Sequence, residues 1–101
     1  MTTLGELATL IRSKNAGPFW MTIDVFFADD AAFARAIESD LTDPATIAAR
    51  YDIDPGQVRI FRLPQLRAVK ISFPRPAIQG SRQDRDMHAG QQYVPLLGLD
   101  V

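Results

Sequence analysis

The chain has 101 residues, 47% hydrophobic and 23% charged, with 11 Lys and Arg against 12 Asp and Glu. That length fits one compact domain, 1–101, and leaves no room for two. A net charge of −1 gives no global field for nucleic acid or anionic membrane, and the lack of cysteine excludes disulfides, thiolate zinc sites and a cysteine nucleophile. No apolar stretch approaches the roughly 20 residues of a membrane span, and no signal-peptide core opens the chain. A cytoplasmic protein is expected, with neither membrane nor nucleic acid as partner. A domain this small also gains stability from association with itself or with another chain.

Thr3-Leu4-Gly5-Glu6 has the spacing of a capping box. Leu4, Leu7, Leu10 and Ile11 follow near helical period, which predicts a helix running to about Ser13. Gly17-Pro18 ends it. The run "FWMTIDVFF" then reads as a strand, with Met21, Ile23, Val25 and Phe27 on a core face and Thr22, Asp24 and Phe26 on the other. Asp29-Asp30 caps a helix over "AAFARAIES", with Phe33 and Ile37 one turn apart. A second helix starts at Thr42-Asp43-Pro44, with proline at the first helical position and Ile47 and Tyr51 on the apolar edge. After the turn at Asp54-Pro55-Gly56, "VRIFRL" and "RAVKISF" form a hairpin about Pro64-Gln65. The chain turns polar from Gln79 to Gln92 and closes on "YVPLLGLDV", read as an edge strand because of Pro95. The order α, β, α, α, β, β, loop, β describes an α+β sandwich: a small mixed or antiparallel sheet with helices on one face.

Two polar segments interrupt this apolar framework. The first holds Arg12, Ser13, Lys14, Asn15 and Gly17; the second runs from Arg75 through Gln79, Gly80, Asp84, Asp86 and His88 to Gln91 and Gln92. A loop of that length, beyond roughly 12–15 residues, is usually functional or disordered. A nucleotide phosphate loop is excluded in the first segment, because its lysine precedes its only glycine and a strand follows. Arg12 and Lys14 can hold a carboxylate or phosphate, with Asn15 as a directional donor. The bland alternative is a solvated helix C-terminus, where cations favour the dipole.

Asp84, Asp86 and His88 alternate along the second segment, but Arg82 and Arg85 neutralise the carboxylates more cheaply than a metal would, so no metal site is expected. His88 is the single histidine and a candidate for proton transfer near neutrality, against the bland reading of a hydrogen-bonding loop residue. Within the strands, Asp24 reads as lying on a solvated face. Lys70 shares a face with Ser72 and Pro74 and can reach the same pocket as Lys14. No cofactor can be named from these residues.

The stretches "LATLIRSKNAGPF", "IDVFF", "VRIFRLPQLRAVKISFPRP", "QGSRQDRDMHAGQQ" and "VPLL" carry a resemblance over nearly the whole chain. It resembles small stand-alone bacterial proteins of unassigned function that are similar to the ferredoxin-fold C-terminal domain of AtuA-like (acyclic terpene utilisation) proteins. Arg12 to Gly17 stand where that domain has an Arg-Ser-Gly-Asp-Lys-Gly type motif; Leu63 to Leu66 match its Leu-Pro-x-Leu turn, and Gln79-Gly80-Ser81 its Gly-rich loop. Asn15 departs from the pattern, since it supplies no carboxylate where the larger family has aspartate. The resemblance implies a ferredoxin-like sandwich and a separate AtuA-like large subunit as partner. It also implies hydratase or lyase chemistry on a branched carboxylic acid or its acyl-CoA thioester. Arg12, Lys14, Lys70 and Arg75 would then bind the anion, while Ser13, Asn15, Gly17, Gln79, Gly80, Gln91 and Gln92 orient the substrate. His88 or Asp86 would transfer the proton. The alternative is a non-catalytic, homo-oligomeric binding or scaffold module joined through its terminal "YVPLLGLDV".

Overall fold

The computed structural model describes residues 2–17, 19–74 and 94–101. Helix α1 (Leu4–Leu7) leads into strands β1 (Leu10–Asn15) and β2 (Trp20–Phe26), then helices α2 (Asp30–Ile37) and α3 (Pro44–Tyr51), then strands β3 (Arg59–Leu63) and β4 (Ala68–Pro74). The four strands form one sheet in the order β1-β2-β4-β3, with every neighbouring pair antiparallel. Two hairpins, β1–β2 and β3–β4, therefore meet along β2 and β4. The helical pair between them packs on one face, giving the two-layer α+β sandwich that the order of elements predicts.

Strand alternation makes that packing possible. Met21, Ile23 and Val25 on β2 stand opposite Phe73, Ile71 and Val69 on β4, and all six are fully buried. Phe33, Ala36, Ile47, Ala48 and Tyr51 from the helices complete this core. Tyr51 meets Phe73 with ring centroids 4.6 Å apart, and Phe27 meets Phe33 edge-on at 6.4 Å. Burial pushes the Tyr51 phenol above its ordinary pKa, so it stays neutral. Both helices start as their sequences predict. Asp29 accepts from the amide of Ala32 and Asp43 from that of Ala45, with Pro44 at the first turn where no amide partner is needed.

Two predicted elements differ. The expected helix to Ser13 stops at Leu7, and residues 10–15 form β1 instead. Ala8 already has extended dihedrals (φ −76°, ψ 144°), and the amide of Thr9 donates to the carbonyl of Phe26. Gly17, at φ +86°, allows the tight return after β1, closed by the Ala16 amide on the Trp20 carbonyl at 2.9 Å. Six register pairs with β2 then outweigh the local helical period of only four apolar residues.

The predicted closing strand is a 3₁₀ turn, Val94–Leu96, followed by a single bridge between Thr3 and Asp100. Pro95 has no amide to offer a ladder. The segment serves α1 instead: Leu4 donates to the Leu99 carbonyl at 2.7 Å and Gly5 to that of Leu97 at 3.0 Å. A Cβ on Gly5 would sit 3.3 Å from the Leu97 oxygen, so a larger residue would press on this contact. Glu6 completes the start of α1 by accepting from the amide and hydroxyl of Thr3. Leu96 and Leu99 are buried in the domain's own core.

Candidate functional site

The side of the sheet away from the helices is where the sequence-predicted cations gather. Because β1 is a strand, Arg12 and Lys14 alternate with Ser13 and Asn15 and project from the opposite side. Register fixes their neighbours. Arg12, Asp24, Lys70 and Phe61 form one row across all four strands, and Lys14, Thr22, Ser72 and Arg59 form the next. Leu10, Phe26, Ala68 and Leu63 make an apolar row beside them.

Within the first row, Arg12 Nε lies 3.7 Å from Asp24 Oδ2, and the Asp24 side chain is only 14% exposed against 57% for Arg12. Asp24 thus lies on the helix-free face as expected, but with its carboxylate mostly covered. Flanking strands cover the carboxylate, and it faces a cation on either side in the register, Arg12 and Lys70. The Arg12 guanidinium also stands 5.3 Å from the Phe26 ring, and that of Arg59 stands 5.6 Å from Trp20. In the second row, the hydroxyls of Thr22 and Ser72 share a hydrogen bond at 3.3 Å. Thr22 is 3% exposed, so this bond satisfies a covered polar group.

The predicted site residues divide three ways. Arg12, Lys14 and Lys70 share this open face, so the pairing of Lys14 with Lys70 rests on the register, with β2 lying between their strands. Ser13 stands opposite Ile23 on the core side and is buried, and Asn15 stands opposite Met21 on that same side; Gly17 serves the turn. The reading of Arg12 and Lys14 as a solvated helix end is corrected, since they belong to an edge strand, where charge discourages unwanted strand pairing. Arg75, Gln79, Gly80, Asp84, Asp86, His88, Gln91 and Gln92 lie outside the described residues.

Sequence reasoning missed Trp20, Arg59 and Phe61 on this face. The alternation of "VRIFRL" contains the signal, because Ile60 takes the core side and sends Arg59 and Phe61 the other way. A shallow groove of about 300 Å³ lies off the face, lined by Gly5, Ala8, Thr9, Leu10, Ile11 and Leu97. It holds none of the predicted site residues. Among the described residues no cluster of three or more His, Asp or Glu side chains is placed to hold a metal. No described helix is long and apolar enough to cross a membrane.

The arrangement can attract anions, stack on planar or apolar groups, and offer two hydroxyls. Among the described residues it brings no histidine or free carboxylate beside the Thr22 and Ser72 hydroxyls to act as a base. No curated protein and no solved structure matches the chain. The family described as "Domain of unknown function (DUF4387)" matches residues 4–100, nearly the whole chain, and the protein belongs to that family.

Proposed function

We propose that this protein is the small subunit of a hetero-oligomeric hydratase or lyase acting on a branched carboxylic acid or its CoA thioester. In this reading it completes the site of an AtuA-like large subunit. One observation carries the proposal: Arg12, Lys14 and Lys70 stand together on a sheet face that the domain's own helices leave open. Cations gathered on an open face suit a substrate carboxylate or CoA phosphate held against a second protein surface.

In hydration of an α,β-unsaturated thioester, a base removes a proton from water as its oxygen bonds the β-carbon. An acid then returns a proton to the α-carbon. The proposal gives this transfer to His88 or Asp86, and substrate orientation to Gln79, Gln91 and Gln92 together with Arg75; Ser13 and Asn15 stand on the core side of β1 and are not assigned to the substrate. The similarity of "RSKNAG" to the AtuA-type motif supports the choice of partner. The homo-oligomeric alternative drew on "YVPLLGLDV", but Leu96 and Leu99 are committed to this domain's core.

Co-expression with an AtuA-like large subunit, followed by size-exclusion chromatography, should give one stable complex with hydratase activity. Clean separation at micromolar concentration would refute the proposal. Within the complex, Lys14→Met should weaken CoA binding roughly ten- to a hundredfold, the usual value of one charge-assisted contact.

A further inference from the structure

The distribution of exposed apolar and charged groups is uneven. Leu10, Phe19, Phe61 and Leu66 are the large hydrophobic side chains exposed among the described residues. Leu10 and Phe61 stand on the open sheet face, Phe19 lies in the turn before β2, and Leu66 lies in the turn before β4. None belongs to the helix layer. Soluble surfaces seldom concentrate their apolar exposure in this way without a partner.

Charge is segregated along the same axis. From Asp29 through Asp52, the stretch that forms the helix layer, six carboxylates oppose two guanidiniums, and Arg67 pairs with Asp30 at 2.8 Å, which leaves a net of −3. The open face carries Arg12, Lys14, Arg59 and Lys70 against Asp24, a net of +3. Among the described residues, one side is therefore basic and the other acidic.

We infer that the helix-free face of the sheet docks onto an acidic protein surface with an apolar contact at each margin, one receiving Phe61 on the β3 edge and the other Leu10 on the β1 edge. The identity of that partner as the large subunit rests on the small-subunit reading above. Charge complementarity selects the occupant. Two copies meeting face to face would bring together two faces of net charge +3, each with four cations against one carboxylate. A copy docking its open face on another's helix layer would satisfy charge, but that layer exposes no large apolar residue to meet Phe61 and Leu10. A single-stranded nucleic acid needs free aromatic faces for its bases. Here Trp20 and Phe26 already carry guanidiniums, and Asp24 occupies the middle of the patch. Exposed arginine and aromatic side chains, here Arg12, Arg59 and Phe61 on the edge strands, are also among the residues enriched at protein interfaces.

Arg59→Glu and Phe61→Ser alter exposed side chains outside the substrate-binding set and are the test variants; Glu38→Lys on the helix layer is the control. In the complex with the large subunit, each test variant should weaken association at least about tenfold, and the control should leave it unchanged. Association of the wild-type chain should weaken as NaCl rises from about 0.1 to 1 M. Unaltered binding by both test variants would overturn the inference while leaving the small-subunit reading intact. Should the wild-type chain form no complex, that reading fails, and a second measurement decides the inference alone. The isotope-labelled chain is titrated with a synthetic peptide of alternating Glu and Leu, and amide shifts are followed by NMR. Shifts confined to β1–β4 support the docking face. Shifts spread equally over α2 and α3, no shifts at millimolar peptide, self-association through the face, or stronger perturbation by a single-stranded oligonucleotide would each overturn it.

Discussion

Asp24 is the anion of an otherwise basic face, and its pairing with Arg12 can be measured by a double-mutant cycle. The perturbations are Arg12→Gln, Asp24→Asn and both together. At a separation near 4 Å two unit charges interact by about 1 kcal/mol in bulk water and about 4 kcal/mol with the screening typical near a protein surface. The observed 3.7 Å sits at that scale, but Arg12 remains more than half exposed, so most of the gross attraction is lost to hydration and screening. Lys70 stands opposite Asp24 in the register and continues to oppose its charge when Arg12 is replaced. A coupling energy of about 0.5–1 kcal/mol follows. Arg12→Gln alone should cost somewhat more, about 1–1.5 kcal/mol, because it also loses the cation over Phe26. Urea denaturation at 0.1 M and 1 M NaCl supplies the four stabilities of the cycle. The coupling should shrink at high salt, where the Debye length falls from about 10 Å to about 3 Å. A coupling indistinguishable from zero at 0.1 M, or one untouched by salt, would refute the electrostatic account of this face.

Phe73→Ala should destabilise by about 3–5 kcal/mol, since Phe73 is fully buried against Tyr51 at the centre of the core; the melting temperature should fall by about 12 °C or more. Glu6 has its carboxyl held below the ordinary value of about 4.5 by the Thr3 amide and hydroxyl. Its contribution to stability is therefore complete above pH 4.5 and lost as pH falls through the lowered folded value, so Glu6→Gln should flatten the melting curve's pH dependence below pH 4.5. A Glu6→Gln profile parallel to wild type from pH 5 to 3 would contradict this. For the proposed hydratase, His88→Gln should remove an inflection near pH 6.5 from the rate profile of the complex and slow it roughly 10²–10⁴-fold; near-normal rates would exclude His88 from proton transfer.

Elements whose signals are local could be read from the sequence. Asp29, Asp43 and Pro44 mark helix starts through contacts spanning two or three residues, and each is found in that role. The alternation of Met21, Ile23 and Val25 needs no knowledge of the partner strand to name the core face. β1 was illegible for the converse reason. Leu4, Leu7, Leu10 and Ile11 fit a helix, and only pairing with β2, across a turn built on Gly17, makes residues 10–15 a strand. That error carried into the site: a helix end groups Arg12 to Asn15, whereas a strand sends Arg12 and Lys14 one way and Ser13 and Asn15 the other. Lys70 needed no such correction, because its own strand was recognised. Arg59, Phe61 and Trp20 join it through long-range register, which no short window of sequence contains.

The bonds between Leu4 and Leu99, Gly5 and Leu97, and Val101 and Thr2 set an order in time. A four-residue helix cannot stand alone in water, because nucleation costs more than its few hydrogen bonds return. The segments that form both hairpins and the α2–α3 pair lie between α1 and residues 97–101 and can assemble without them. The first turn made is thus the last to settle, held open until Leu96 and Leu99 arrive to close the core beneath it. A chain truncated at residue 90 should accordingly leave Leu4 protease-accessible, and the chain through residue 101 should protect it.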